Sequence, residues 1–299
     1  MLSTRTDVVG EGSVGESAGS GVLSQGREVP GVSSDLPDAS CVEPSASCGE
    51  SSVLSGTTSV LSGGQAQWEL PVWQLPLAQL CDSAAPTGAF SHSYGLETYV
   101  DAGVVTDGDT FLAWLQAMIN TSLTTSDAYA MTLLYEAAVD GFVDQTVVRD
   151  VDNMLHAQIL PRQSREASVT MGGRMVAIAR MIAPSDMVEE YSRDIEERRC
   201  HGHPAVAIAL VGIDLGAPIS AALGAHLQGV ATSLTQNAVR LIPLGQNAGQ
   251  RALAAVREDI AAAVARIPSL NPYEFGATAP GLEIAQMRHE RMRARMYMS

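Results

Sequence analysis

Apolar residues recur every three to four positions in successive segments of this chain, and no convincing run alternates with a period of two. The clearest segment places Leu253, Val256, Ile260, Val264 and Ile267 on one face, with charged residues off that face. A helix repeats its faces every 3.6 residues and a strand every two, so this pattern favours helices. The sequence therefore predicts an all-α fold, a single-domain bundle of about nine to ten helices.

Cap residues indicate where several of these helices begin. Thr106 or Asp107 can cap one helix and Ser185 another, because their side-chain oxygens accept hydrogen bonds from unpaired N–H groups. A further helix is expected to begin near Ser126 and to reach Val139.

One stretch, from Pro204 to Ala225, could be mistaken for a membrane span because it is mostly apolar. Asp214 lies in its middle, and the sequence Gly-Ala-Pro at 216–218 interrupts it. A spanning helix needs about 20 predominantly apolar residues without such a break. The stretch is therefore predicted to form two buried helices joined by a turn, and no membrane contact is expected.

The first 66 residues have a different composition, rich in Ser, Gly and acidic residues and without a sustained period. Such a composition cannot bury enough apolar surface to offset the entropy lost on ordering. We predict a disordered acidic tail at 1–66, either solvated or folding on a partner, and one helical domain at 67–299. No apolar signal region opens the chain, and its four cysteines form no C-x-x-C pair. These features predict a reducing, cytoplasmic location.

Charge excludes several classes of protein. The formal net charge of the 299-residue chain is −15, and all 18 of its basic residues are arginine. A P-loop and a Schiff-base enzyme both require a lysine, which this chain lacks. Non-specific nucleic-acid binding requires a basic cluster to neutralise phosphates. We therefore expect that the chain binds no nucleic acid and uses no cofactor.

The residues from 80 to 99 combine helix breakers with small hydroxyl residues. Pro86 and Gly88 are predicted to end a helix that begins near Trp73. Residues 91–93, Ser-His-Ser, are predicted to open the next helix.

An all-helical hydrolase is one alternative function. It would use Ser91 or Ser93 as nucleophile with a distant histidine such as His201 or His203. The glycines that flank the serine of an esterase elbow are missing around both serines.

A metal-storage or sensor protein is the other alternative, and it would use Cys200, His201 and His203. Thiolate and imidazole suit nickel, copper or zinc. A closed metal site needs three or four ligands, and no second His/Cys group is near in sequence. The cluster also fits a helix boundary at His203 and Pro204, so these residues are only weak metal candidates.

Two more stretches suggest contact with other proteins. Residues 243–251 break a helix with three amides and an arginine, either as a turn or as a partner surface. Residues 287–299 alternate arginine with methionine and include a tyrosine. Methionine adapts to irregular surfaces, and Arg and Tyr are enriched at binding hot spots, so we expect this end to dock onto a partner.

Several motifs in fixed order resemble the urease accessory protein UreF family. They cover residues 70 to 299 and have these sequences: PTGAFSHSYGLE at 86–97, SREAS at 164–168, MGGRM at 171–175, HGHP at 201–204, RLIPLGQNAGQR at 240–251 and MRHE at 287–290. The end of the chain, RMYMS, is similar to a family pattern of Arg-Leu-Phe-x-Ser, although the residues before it depart from that pattern.

The resemblance implies a non-enzymatic, all-helical and dimeric chaperone that assists nickel insertion into apo-urease. It implies binding to UreD, also called UreH, and joint recruitment of the GTPase UreG, which carries the nickel. Tyr94 and Arg295 match family positions at the interface with the GTPase. The resemblance suggests a wider set of partner-binding residues: Tyr94, Glu97, Gln246, Gln250, Arg295 and Tyr297. A second set is expected to shape loops: Pro86, Gly88, Gly95, Pro243 and Gly245.

Overall fold

The computed structural model of the chain describes residues 69–276 and 279–299. The predicted disordered tail, at residues 1–66, lies outside the described residues, and the domain boundary at residue 66 stays a prediction.

The described residues are predominantly helical and contain no β-strand. The helices are α1 (Gln74–Leu80), α2 (Leu96–Asp101), α3 (Gly108–Met118), α4 (Tyr129–Ala137), α5 (Gln145–Gln158), α6 (Arg162–Ile182), α7 (Asp186–Glu196), α8 (Pro204–Asp214), α9 (Ile219–Leu241), α10 (Gln246–Arg266) and α11 (Pro280–His289). A π-helical segment, Ile119–Ala128, joins α3 to α4, so these eleven segments form ten separate helices in the described part of the chain. The all-α prediction is confirmed.

The predicted helix start near Ser126 is wrong, because the chain stays helical through that position. Hydroxyl groups sustain the wider π turns: Thr121 Oγ1 donates to the Ala117 carbonyl and Thr124 Oγ1 to the Ile119 carbonyl, each at 2.5 Å. The other end of that predicted helix is also wrong. Val139 lies beyond α4, is 71% exposed and forms an antiparallel bridge with Phe142.

Helix α8 forms the centre of the core. Every residue from Ala205 to Ile213 is buried, and α4, α6, α7 and α9 pack around it. This all-round burial explains why the helix is apolar without a polar face. Asp214 ends the helix, Gly216 adopts a positive φ of 67°, and α9 begins after Pro218. The prediction of two helices is confirmed, and no helix in the described residues is long and apolar enough to cross a membrane.

Two predicted caps are confirmed. Asp107 accepts a hydrogen bond from the Thr110 N–H at 3.0 Å and caps α3. Ser185 accepts from the Val188 N–H at 3.4 Å and caps α7.

Candidate partner-binding surface

Residues 86–95, here called the signature loop, connect α1 to α2 by a tight path. Gly88 and Gly95 have φ angles of 89° and 85°, and Tyr94 has a φ of 51°. The backbone of this loop thus occupies the left-handed region at three positions. Glycine, which adopts this region without steric cost, occupies two of them. The prediction that residues 91–93 open a helix is wrong, because α2 begins at Leu96, directly after Gly95, and has no side-chain cap.

Arg174 on α6 closes one side of the signature loop. Its Nη1 donates to the Thr87 carbonyl at 3.4 Å, and a Cβ atom on Gly88 would overlap the guanidinium group. Gly88 therefore provides both the positive φ and the space that Arg174 occupies.

The other side of the loop is fastened to the end of the chain. The Met298 N–H donates to the Ser91 carbonyl at 2.7 Å. The Ser93 N–H and Oγ both donate to the Ser299 carbonyl, at 2.5 and 2.8 Å. His92 Nδ1 lies 2.8 Å from Ser299 Oγ. Residues 290–299, here called the C-terminal segment, are thereby held against the signature loop.

Glu97 is the second fastening point. Its buried carboxylate accepts the N–H groups of Met296 and Tyr297 at 2.6 and 3.1 Å. His289 Nε2 lies 2.9 Å from Glu97 Oε2. The Gln163 amide satisfies its neighbours when it is oriented with its nitrogen toward His289 Nδ1, at 3.0 Å, and its oxygen toward Arg295. In this orientation Nε2 carries the proton that His289 donates to Glu97. Each carboxylate oxygen therefore has a donor.

Tyr297 anchors the same segment in the core. Its side chain is buried, and its hydroxyl donates to the Asn237 carbonyl on α9 at 3.1 Å. Asn237 Nδ2 in turn donates to the His92 carbonyl at 2.8 Å. Burial raises the pKa of Tyr297, with the nearby charge of Arg240 opposing that shift. Tyr297 therefore stays a neutral hydrogen-bond donor at physiological pH.

This fastening leaves a row of arginines facing solvent. In the C-terminal segment Met296 and Met298 are exposed, while Tyr297 and Ser299 between them are buried. We call the exposed basic row the arginine strip, and it consists of Arg288, Arg291, Arg293 and Arg295. None of the four forms an ion pair with a carboxylate in the described part of the chain. In the same orientation of the Gln163 amide, Arg295 Nη1 donates to the amide oxygen at 2.9 Å.

The predicted partner-binding residues therefore fall into two groups. Arg295, Gln246 and Gln250 are exposed, with the two glutamines in the first turns of α10 after Pro243 and Gly245. Glu97 and Tyr297 are buried and bond within the chain, and Tyr94 is half-buried, with its hydroxyl 3.7 Å from Met171 Sδ. Burial raises the pKa of the Tyr94 phenol. Direct contact with a partner stays a prediction for all six.

Comparison with known proteins gives the family. The UreF family model matches residues 105–257. The urease accessory protein UreF of Arthrobacter sp. (strain FB24) is 50% identical over 227 residues, which is 76% of this chain and 97% of that protein. The protein of the same name from Paenarthrobacter aurescens (strain TC1) is 47% identical over 227 residues, covering 76% and 98% of the two chains. This chain belongs to the UreF family.

UreF proteins are accessory proteins and not catalytic enzymes, so the hydrolase alternative is excluded for this chain. The Ser93 hydroxyl is buried and donates to the Ser299 carbonyl, so it is already engaged within the chain. Ser91 is exposed, and its backbone carbonyl accepts from the Met298 N–H. Both serines fasten the C-terminal segment of this UreF.

The Cys-His-Gly-His run of this UreF lies in the turn between α7 and α8. Cys200 is buried, which raises the pKa of its thiol to about 12, so the thiol stays protonated at neutral pH. His203 caps α8, with Nδ1 accepting from the Ala205 N–H at 3.2 Å. His201 is exposed and stacks on His156, with ring centroids 3.4 Å apart. Among the described residues, no group of three or more His, Cys, Asp or Glu side chains could hold a metal ion.

Sequence reasoning assigned no role to three residues of the fastening network: Gln163, Asn237 and His289. One signal was available for Asn237. It follows the apolar stripe of Leu227, Val230 and Leu234 at helical spacing, so its amide had to face the core and needed a partner there. His289 lies in one of the family motifs, but only the fold reveals its contact with Glu97.

Proposed function

We propose that this UreF is a scaffold for urease maturation. It binds UreD/UreH, and together they recruit the GTPase UreG, which delivers nickel to apo-urease. The chain acts as a homodimer in the cytoplasm and supplies no catalytic group and no cofactor. One observation carries the proposal: the arginine strip, which has no ion pair within the described residues, faces solvent, and buried hydrogen bonds hold the residues 296–299 that follow it.

The chemistry of the strip suits a protein partner. Four exposed guanidinium groups and the exposed Met287, Met296 and Met298 lie on one short segment. Arginine binds carboxylates with good geometry, and methionine adapts to an irregular apolar surface. Release of the C-terminal segment would break the buried hydrogen bonds of Glu97, so the backbone at Met296 and Tyr297 is already ordered before a partner binds. A partner therefore pays little entropy to order that backbone.

Two free thiols support the proposed cytoplasmic location. Cys81 and Cys200 are both free, and burial raises the pKa of each to about 12. Neither forms a disulfide, which suits a reducing cytoplasm.

Capture of UreG by the complex of this chain with UreD tests the proposal. Arg295→Ala and Tyr94→Ala should each weaken capture about tenfold while the far-UV circular dichroism stays unchanged, because truncation of a hot-spot residue costs on the order of 1–2 kcal/mol. Arg257→Ala, which removes an exposed arginine on α10, is the matched control and should bind normally. Normal capture by both test variants would contradict the site assignment.

Glu97→Gln distinguishes positioning from direct contact. The neutral amide keeps the shape of the side chain but loses one acceptor and the charge that holds the Met296 and Tyr297 N–H groups. We expect faster hydrogen exchange in residues 290–299 together with weaker capture of UreG. Weaker capture with unchanged exchange would instead indicate that the partner contacts Glu97 itself.

A further inference from the structure

A cavity of about 150 Å³ lies beneath the signature loop. The loop, the π-helical segment, α6 and α9 contribute to its walls, and the exposed Asp82 is one of the lining residues. Its volume corresponds to about five water molecules, or to one small organic molecule.

Two serine hydroxyls in the wall have no partner. Ser164 and Ser168 lie one turn apart on α6 and are 3% and 6% exposed. Neither Oγ atom makes a hydrogen bond to any other described residue. A buried hydroxyl without a partner costs on the order of 1–3 kcal/mol, so both groups indicate an occupant that can donate and accept.

His203 adds a donor to the same wall. Its Nδ1 accepts from the Ala205 N–H, so in the neutral ring the proton is on Nε2. His203 is buried, and desolvation lowers its pKa, which keeps the ring neutral at physiological pH.

The charge of the wall selects against anions. No arginine lines the cavity among the described residues, and the chain has no lysine. The acidic Asp127 and Glu283 are both part of the wall, and Asp127 is paired with His226 at 2.9 Å. Burial alone would raise the pKa of Asp127, but the positive charge that His203 gains at acidic pH and the hydrogen bond with His226 lower it, so the carboxylate is ionised at neutral pH, where His203 is neutral. An anion would meet like charge without a compensating cation.

The remaining wall is largely apolar and adaptable. Met118, Met171 and Met175 all line the cavity. These side chains can contact an apolar group of irregular shape.

We propose that this cavity is a binding site for a small neutral molecule of about six non-hydrogen atoms. The ligand has a head that both donates and accepts hydrogen bonds, such as a carboxamide, and a compact apolar body. Neighbouring atoms cover the Ser164 and Ser168 hydroxyls in this conformation, so both turn about χ1 to meet the head beside His203. The body lies against the methionines. The signature loop, with Tyr94, separates this site from the partner-binding surface, and the proposal does not rest on the function proposed above.

Isobutyramide and isobutyrate form a matched pair of probes, because they have the same shape and differ in charge. Each is titrated into the full chain carrying ¹³C-methyl methionine, and the methionine methyl signals are followed by NMR. We expect isobutyramide to shift three methyl signals saturably, with a Kd on the order of a millimolar for a ligand of this size. Substituting Met118, Met171 and Met175 one at a time by leucine assigns these signals. Isobutyrate should bind at least tenfold more weakly.

Variants locate the site. Ser164→Ala with Ser168→Ala should weaken isobutyramide binding about tenfold, because the head loses both hydroxyl partners. Ser192→Ala, at a buried serine of α7 outside the cavity, should bind as the unchanged chain does. Ser168→Leu should fill the cavity and abolish the shifts.

Three results would overturn the proposal: no saturable shift with isobutyramide, equal binding of isobutyrate, or unchanged binding by the double alanine variant. The double variant decides the question even if Ser168→Leu fails to fold, since serine to alanine leaves the helix intact.

Discussion

Two adjacent glycines on α6 have opposite surroundings. A Cβ atom on Gly172 would overlap the backbone of Gly202, in the turn before α8. A Cβ atom on Gly173 would meet no atom within 4 Å. The first glycine therefore permits a close approach of two backbones, and the second costs helix stability without a packing reason in the described residues.

Alanine substitution separates these two roles. Gly172→Ala should lower the free energy of unfolding by about 1–3 kcal/mol, because the turn at 200–203 must move away from α6. Gly173→Ala should raise it by about 0.5–1 kcal/mol through helix propensity. Urea denaturation of both variants checks the prediction. Equal and small effects at the two positions would contradict the packing seen at Gly172.

At the scale of elements, two buried aspartates attach the turn after α7 to α5. Asp194 accepts from Arg149 Nε and Arg199 Nε, each at 2.6 Å, and from Gln145 Nε2 at 2.8 Å. Asp152 accepts the Tyr191 hydroxyl at 2.6 Å and the His201 N–H at 2.6 Å. The turn that carries the Cys-His-Gly-His run is therefore held by carboxylates on two helices.

The Asp194 hub predicts a pH dependence of stability. Burial alone would raise the pKa of Asp194, but the hydrogen bonds from Arg149, Gln145 and Arg199 lower it from 3.8 to about 2. A lowered pKa means that this stabilisation is present above pH 3.8 and is lost as the pH falls through about 2. Asp194→Asn should lower the free energy of unfolding at pH 7 by about 2 kcal/mol and flatten its fall below pH 4.

Glu189→Gln is the control for this measurement. It removes the carboxylate of an exposed ion pair with Arg180, where both side chains are 42% exposed, so stability should barely change. Chemical denaturation between pH 2 and pH 7 compares the two variants. If the free energy of unfolding of Asp194→Asn falls below pH 4 as steeply as that of the unchanged chain, other groups control acid unfolding.

At the scale of the whole molecule, the arginine strip is a local basic feature on an acidic protein. The formal net charge is −15, yet four arginines lie within eight residues near the end of the chain. The net negative charge of the chain would repel an acidic partner at long range, and the arginine strip would attract it at short range. Under the proposed function, the strip therefore also determines how the partner is oriented.

Ionic strength tests this arrangement. Capture of UreG should weaken several-fold between about 50 and 500 mM NaCl, because salt screens the arginine contacts. The triple variant Arg288→Gln, Arg291→Gln, Arg293→Gln should bind more weakly at low salt and lose most of the salt dependence. Titration of UreG at several salt concentrations measures how steeply the affinity falls with salt for the unchanged chain and for the triple variant. A steeper slope for the variant, or tighter capture at high salt, would exclude an acidic partner surface.

The amino-acid sequence alone determined the fold class, the caps at Asp107 and Ser185, and the break between α8 and α9. These features depend on local periodicity and on the backbone chemistry of a few residues, so sequence neighbours suffice to specify them. Sequence motifs also indicated the family that the comparisons then confirmed.

Only the tertiary structure decided what the polar motif residues do. The π-helical segment, the bonds of Glu97 to Met296 and Tyr297, and the close approach of Gly172 to Gly202 join positions that sequence spacing does not relate. The signature loop does not cap a helix as expected; it holds a segment about 200 residues away. Hydrogen bonds and steric contacts act over a few ångströms, so their partners are defined only when the chain is folded.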